Sequence, residues 1–349
     1  MTDNNRFNAW ACAGKGKTLA KTNELTLKQW DEDSVELNIT HCGICGSDIH
    51  TMDSGWGPTL YPCVVGHEIV GVVAKVGKNV SHLKVGDRAG VGAQCGSCHQ
   101  CQNCKEGNEN LCMNNFVGTY SSKWPNGDKT YGGYADRWRG DYRFAFKIPD
   151  NMSSEIAATF FCAGVTTYAP LKRENVNSTS VVGIMGIGGL GHFGVQWAKA
   201  MGAKVIGMSH NDKKHDVALE LGCDEYLVTS DKEAMAKYRR SMTHILCTGT
   251  GQDFDWNTYL GLLHANGHFI NVSMPDWNFP ELHPVVFVMN QVHISGSAIG
   301  SPKEIEEMLE FAATHGVKPW IEIYDMDNVV QAVEDFRAGK PRFRIVLKN

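Results

Sequence analysis

No apolar run in this 349-residue chain approaches the roughly 20 residues that a bilayer-spanning helix needs. Its first residues, MTDNNRFNAW, lack a basic stretch followed by an apolar one, so no secretory signal is expected. An excess of positive charge is also missing. Lysine and arginine number 33 against 38 acidic residues, a net charge of −5. That balance argues against nucleic acid or an anionic membrane as the main partner, since either favours a basic surface. There is no internal repeat and no low-complexity linker. What the chain does have is cysteine, twelve in all. With no export signal the expected location is the cytoplasm, where thiols stay reduced and clustered cysteines bind metal more often than they form disulfides.

The length suggests two domains or one large one. Up to about residue 150, short apolar runs broken by glycine predict strands and turns with few helices: VELNIT (35–40), EIVGVVAKVG (68–77) and DRAGVGAQ (87–94). SSEIAATFFCAGVTTYAPLK (153–172) reads as one helix, with Ser153 or Ser154 as its N-cap. From 179 the rhythm changes. The strands TSVVGIM (179–185), KVIGMS (204–209), EYLVTS (225–230), THILCTG (243–249) and GHFINVS (267–273) are interleaved with helical stretches at 192–202 and 213–222. Strands alternating with helices imply a parallel sheet of βαβ units. A helix at 302–316 and a strand at 342–348 close the chain. The cuts fall near 155 and 300, with the last segment packing back on the first domain.

Residues 95–112, CGSCHQCQNCKEGNENLC, hold five cysteines: Cys95, Cys98, Cys101, Cys104 and Cys112. A structural zinc ion takes four thiolates in a tetrahedron. Four of the five suffice, and local spacing does not choose among them. The flank KEGNEN is nearly neutral, unlike the basic flanks of zinc modules that bind nucleic acid.

A second metal signature lies upstream in HCGICGSDIH (41–50) and VVGHEIVG (64–71). A catalytic zinc keeps three protein ligands and one open position. Cys42, Cys45 and His67-Glu68 are candidates, with Cys162 a distant soft ligand just before the nucleotide-binding half. Read alone, Cys162, His50 and Cys63 fit buried core positions better than ligand positions.

GIGGLG (186–191) fits GxGxxG through Gly186, Gly188 and Gly191, after a strand and before a helix. Positions without side chains let the backbone approach a pyrophosphate, and the helix start offers unpaired N–H groups. An NAD site usually has Asp or Glu at the end of the second strand. Here Ser209 stands there, with His210, Lys213 and Lys214 close by. A neutral hydroxyl followed by lysines suits a 2′-phosphate and favours NADP. Asp212 remains a rival, as an acidic residue displaced by a few positions.

Taken together, CGICGSDIH, GHEIVGVVAKVG, KVGDRAGVGAQ, the cysteine loop, CAGVTTYAPL, GIGGLGHFGVQWAKAMGA and GSAIGS resemble the zinc-dependent medium-chain alcohol dehydrogenases over essentially the whole chain. Within them the likeness is to the NADP-dependent cinnamyl-alcohol-dehydrogenase group. The resemblance implies an α/β protein: a GroES-like, mainly-β catalytic domain over 1–155 and 300–349, and a Rossmann doubly wound parallel-sheet cofactor domain over 156–299. It implies two zinc ions per chain. One is structural, on Cys98, Cys101, Cys104 and Cys112, leaving Cys95 spare. The other is catalytic, on Cys45, His67 and Cys162, with Glu68 able to exchange with zinc-bound water and Cys42 not a ligand. Asp48 would orient the ligating histidine, while Ser47 and His50 would relay the substrate proton.

For NADP(H) the resemblance implies Thr166 near the nicotinamide and Gly186, Ile187, Gly188, Gly189, Leu190 and Gly191 at the pyrophosphate. Ser209, His210, Lys213 and Lys214 would surround the 2′-phosphate, with Thr248, Ser273, Ser297, Ala298 and Ile299 lining the rest. Two departures stand out. Gly46 sits where plant members often carry histidine, and Thr159-Phe160-Phe161 stands where relatives commonly have Pro-Leu before the cysteine. The implied activity is reversible hydride transfer between NADPH and aromatic or aliphatic aldehydes, with Trp56, Tyr120, Phe279 and Phe287 as candidate pocket walls. The runner-up is an NAD-dependent zinc polyol dehydrogenase. A zinc-dependent nucleic-acid-binding module and a crystallin-like structural role are the readings from other classes. A homodimer pairing near VHISGSAIG (292–300) is expected.

Overall fold

The computed structural model describes residues 5–349. The chain folds into two compact units. One runs to Val165 and includes Gly300–Thr314 and Pro319–Asn349; the other comprises Thr166–Ile299 and His315–Lys318. The first unit therefore extends ten residues past the expected cut at 155, because the segment carrying Cys162 packs on that unit's own strands.

The first unit is built on a seven-stranded sheet. Its order is Ile321–Asp325, Arg344–Lys348, Ser34–Ile44, Glu68–Val76, Arg88–Val91 and Phe146–Lys147, with Arg137–Asp141 pairing separately on Ser34–Ile44. All neighbours are antiparallel except Ile321–Asp325 on Arg344–Lys348. The C-terminal strand thus completes the N-terminal domain's sheet. Val35, Leu37, Ile39, Ile69, Val73, Ile345 and Leu347 supply its buried core.

The second unit holds a six-stranded, wholly parallel sheet. Its order is Glu225–Val228, Lys204–Ser209, Val181–Met185, Met242–Cys247, Leu263–Asn271 and His293–Gly296. This is the doubly wound 3-2-1-4-5-6 arrangement. The apolar run at 179–185 forms its central strand, as near-continuous hydrophobicity requires of a strand covered on both faces.

One expected helix is two. Residues 153–172 fold as Ser154–Ala158, a 3₁₀ turn at Thr159–Phe161, and a second helix, Ala163–Arg173. The break is Cys162, whose φ of −131° and ψ of −74° are not helical. No breaker residue marks it in the sequence. Phe161 fits because Gly90 and Gly92 lack side chains: a Cβ on Gly90 would lie 2.0 Å from the Phe161 ring, and one on Gly92 2.6 Å from its carbonyl oxygen.

Candidate active site

Cys45 follows the longest strand of the first unit, Ser34–Ile44, and caps a short helix, Gly46–Met52. Its backbone N–H donates to Asp48 Oδ2 (2.9 Å), which fixes the turn. Asp48 is fully buried and also accepts from Gly66 N (3.0 Å) and Tyr134 Oη (3.3 Å). Its Oδ1 lies 3.1 Å from His67 Nδ1. An imidazole bonded to a carboxylate through Nδ1 presents Nε2 as a ligand. His67 Nε2 is buried and has no hydrogen-bond partner.

The ligand atoms of Cys45, His67, Glu68 and Cys162 all lie within 4.8 Å of one another. Cys45 Sγ and Cys162 Sγ are 4.0 Å apart. The Cys162 thiol beside it holds the Cys45 thiol well below its ordinary range. Two sulfurs, one unpartnered imidazole nitrogen and a buried carboxylate oxygen form a donor set that suits zinc. Glu68 Oε2 is likewise buried without a partner, while its other oxygen accepts from Arg344 Nη2. Burial pushes the Glu68 carboxyl up to about 7, against the opposing charge of Arg344. Gly43 makes room for this group, since a Cβ there would sit 1.9 Å from Glu68 Oε2.

Ser47 Oγ stands 3.7 Å from Cys45 Sγ. His50, on the same short helix, stacks on Trp56 with ring centroids 4.4 Å apart. Tyr120, expected as a pocket wall, puts its hydroxyl 2.9 Å from His67 Nδ1 and so also holds the imidazole. Phe287 packs against the apolar cluster of the second unit, and Phe279, exposed, sets its ring against Phe254 and Trp256 of that cluster. A Cβ at Gly46 would meet nothing within 4 Å.

The second cluster is Cys98, Cys101, Cys104 and Cys112. Sulfur separations include 3.9 Å for Cys98–Cys104, 3.5 Å for Cys101–Cys104 and 4.0 Å for Cys101–Cys112. Backbone N–H groups of Gln100 and Cys101 donate to Cys98 Sγ, and that of Asn115 to Cys112 Sγ, which favours thiolates. The backbone N–H groups of Cys104 and Met113 bring the Cys101 thiol down to about 6. Cys95 is not in the cluster: it is buried on the strand Gln94–Gly96, and burial pushes its thiol up. Cys42 and Cys63 are buried apart from both clusters.

In the second unit, Gly186 has φ +87° after the strand Val181–Met185. A Cβ on Gly191 would lie 1.8 Å from Gly186 O, so the turn needs glycine there. A Cβ on Gly188 meets nothing, which leaves the open approach a pyrophosphate uses. Ile187, Gly189 and Leu190 complete the loop, ahead of the helix Gly191–Ala200. Thr248 Oγ1 donates to the carbonyls of Met185 (2.9 Å) and Gly186 (2.8 Å), bracing the loop.

Ser209 ends the strand Lys204–Ser209, followed by the exposed His210. Lys214 Nζ reaches back to Ile187 O at 2.5 Å, half-buried, and burial lowers its pKa. Lys213 is exposed on the turn that follows. Ser273 Oγ donates to Asn271 Oδ1 (2.7 Å), and Ser297 Oγ accepts from Arg173 Nη2 (2.6 Å). Thr166 is buried at the unit's first residue, and Ala298 and Ile299 are its last residues before Gly300.

Residues 31–150 match the alcohol dehydrogenase GroES-like domain family, and residues 189–314 the zinc-binding dehydrogenase family. A probable mannitol dehydrogenase of Fragaria ananassa is 39% identical over 344 residues, covering 98% of this chain and 95% of that protein. The chain belongs to the zinc-binding alcohol dehydrogenases. It is similar to an NADP-dependent alcohol dehydrogenase C of Mycolicibacterium smegmatis, 40% identical over 340 residues and 97% of each chain. Among solved structures, a cinnamyl alcohol dehydrogenase from Sorghum bicolor superposes with a TM-score of 0.93 at 32% identity, covering 98% of this chain and 97% of that one. A CAD from Helicobacter pylori complexed with NADP(H) gives 0.89 at 32% identity over 98% of each.

Two residues around the dehydrogenase's candidate metal site escape sequence reasoning. Arg344 is 276 positions from Glu68 and Tyr134 is 86 from Asp48, so no local spacing links either pair. Among the described residues, no helix is long and apolar enough to cross a membrane.

Proposed function

We propose that this dehydrogenase interconverts aldehydes and primary alcohols with NADP(H), favouring aromatic or medium aliphatic substrates of the cinnamyl-alcohol type. The observation that carries the reading is the convergence of Cys45, His67, Glu68 and Cys162, with His67 Nε2 buried and unpartnered. Cys45, His67 and Cys162 would hold a catalytic zinc, which supplies Lewis acidity to a carbonyl oxygen. Cys98, Cys101, Cys104 and Cys112 would hold a second, structural ion, giving two per chain.

This chain's own residues divide the remaining work. Asp48 and Tyr120 hold the proton on His67 Nδ1 and fix the tautomer. Ser47 Oγ passes a proton to the substrate oxygen and cannot generate one, since a serine hydroxyl does not titrate near neutrality. His50 would pass that proton onward, and Trp56 braces its ring. Gly186–Gly191 bind the pyrophosphate. Ser209 and Lys214 would hold the 2′-phosphate, with Lys213 adding positive charge and His210 close by. Support for NADP comes from the neutral Ser209 and from a relative named for that cofactor. A cytoplasmic homodimer pairing along the edge strand His293–Gly296 belongs to the same reading.

The test is a panel of aldehydes and alcohols, polyols included, run with NADPH and with NADH. Efficient NADPH-linked reduction of cinnamaldehyde-like substrates is expected. NAD-linked oxidation of polyols as the best reaction would overturn it. Ser209→Asp is expected to weaken NADPH binding by at least about tenfold, roughly 1.4 kcal/mol, without weakening NADH.

A further inference from the structure

The turn after the strand Lys204–Ser209 has to keep Ser209 and Lys214, five positions apart in sequence, at one separation if both are to hold a phosphate. His210, Asn211, Asp212 and Lys213 between them are all exposed. An exposed turn without a brace would lose conformational entropy each time a ligand ordered it. A brace does exist, and it comes from the neighbouring strand.

Tyr226 lies on Glu225–Val228, at the edge of the parallel sheet opposite His293–Gly296. It pairs with Gly207. A Cβ on Gly207 would lie 3.3 Å from Tyr226 Cδ2, so the missing side chain leaves room for the ring. The Tyr226 hydroxyl donates to the carbonyl of Asn211 at 2.6 Å. The side chain of Asn211 in turn accepts from Lys213 N at 3.1 Å and caps the 3₁₀ turn Asp212–Lys214. Further on, the His215 ring meets the Tyr226 ring edge-on, with centroids 5.5 Å apart at 81°. At the start of the turn, Thr229 N donates to Ser209 O at 2.8 Å. The segment 209–215 is therefore tied to residues 226–229 at its start, middle and end. Packing alone would need only the aromatic ring, which phenylalanine also supplies. The hydroxyl adds a fixed point on the main chain between Ser209 and Lys214. Lys214 Nζ, already on Ile187 O, has three N–H donors and keeps others for a phosphate.

We propose that Tyr226 is a positioning residue for this turn, acting through Asn211 to set Ser209 and Lys214 for a 2′-phosphate and so sharpening the preference for NADP(H) over NAD(H). This rests on the NADP reading above. A cofactor with a 2′-hydroxyl does not need both groups at that separation, so its binding is expected to be insensitive to the brace.

The experiment compares full-length, zinc-loaded wild type with Tyr226→Phe, which keeps the ring and removes the hydroxyl. Calorimetry measures binding of 2′,5′-ADP and of 5′-AMP, and nicotinamide fluorescence that of NADPH and NADH. The variant is expected to bind 2′,5′-ADP and NADPH about three- to tenfold more weakly, the range of one hydrogen bond, with 5′-AMP and NADH unchanged. A purely structural role would weaken all four ligands alike or none. Either of those results, with a wild type that prefers 2′,5′-ADP to 5′-AMP, overturns the role of Tyr226 and leaves the NADP reading standing. A wild type that binds 2′,5′-ADP no better than 5′-AMP overturns both.

Discussion

At the scale of single residues, the candidate metal site depends on groups outside its proposed ligand set. Asp48 holds Cys45, Gly66, Tyr134 and His67 through one buried carboxylate. Asp48→Asn keeps the shape and removes the charge. It should lower metal affinity or activity by about 10–100-fold, read by a chromophoric zinc chelator and by turnover. Gly43 is a sharper case. Gly43→Ala puts a methyl group where Glu68 Oε2 sits, 1.9 Å away, so the carboxylate must move. Turnover should fall while the four-cysteine lobe keeps its zinc, whereas unchanged turnover would show that Glu68 has room to spare. The candidate ligands Cys45, His67 and Cys162 are picked out in sequence by CGICGSDIH, GHE and the lone Cys162, through resemblance rather than spacing. Arg344, Tyr134 and the second role of Tyr120 are not, because buried partners from distant segments leave no periodic mark.

Secondary-structure elements decide how those residues are presented. The strand–loop–helix at 181–200 is readable because glycines at fixed offsets carry the steric reason with them. Gly191→Ala should bring its Cβ to 1.8 Å from Gly186 O and open the loop. Loss of NADPH binding is expected, measured by nicotinamide fluorescence, with zinc content unchanged. The stretch 153–172 reads as one continuous helix in sequence because tertiary packing of Phe161 over Gly90, not a proline or glycine, breaks it at Cys162. The cysteine lobe is tied to the sheet by Asp141, which lies 3.2 Å from His99 Nε2 and accepts from Arg143 Nε at 2.8 Å. Burial pushes this carboxyl up, but hydrogen bonds from His99 and Arg143 prevail and hold it below its ordinary value. A depressed carboxyl stabilises the fold above its ordinary pKa and loses that contribution as pH falls through the folded one. The thermal midpoint of the wild type should therefore exceed that of Asp141→Asn near neutrality. The gap should close below about pH 4. A gap independent of pH would contradict the ion-pair account.

Across the whole molecule, composition and rhythm foretell two units of different construction, one of glycine-broken strands and one of alternating strands and helices. Residues 342–348 return to the first unit, where Arg344–Lys348 pairs with Ser34–Ile44. That return also delivers Arg344 to Glu68, so the chain's last strand reaches the candidate metal site. The central claim is that two separate sets of side chains each hold zinc. An anomalous difference map at the zinc edge, from crystals of the purified protein, tests it most directly. The account predicts two peaks per chain, one within about 2.0–2.3 Å of Cys45 Sγ, His67 Nε2 and Cys162 Sγ, the other among Cys98, Cys101, Cys104 and Cys112. A single peak confined to the four-cysteine lobe, with nothing at His67, would contradict it.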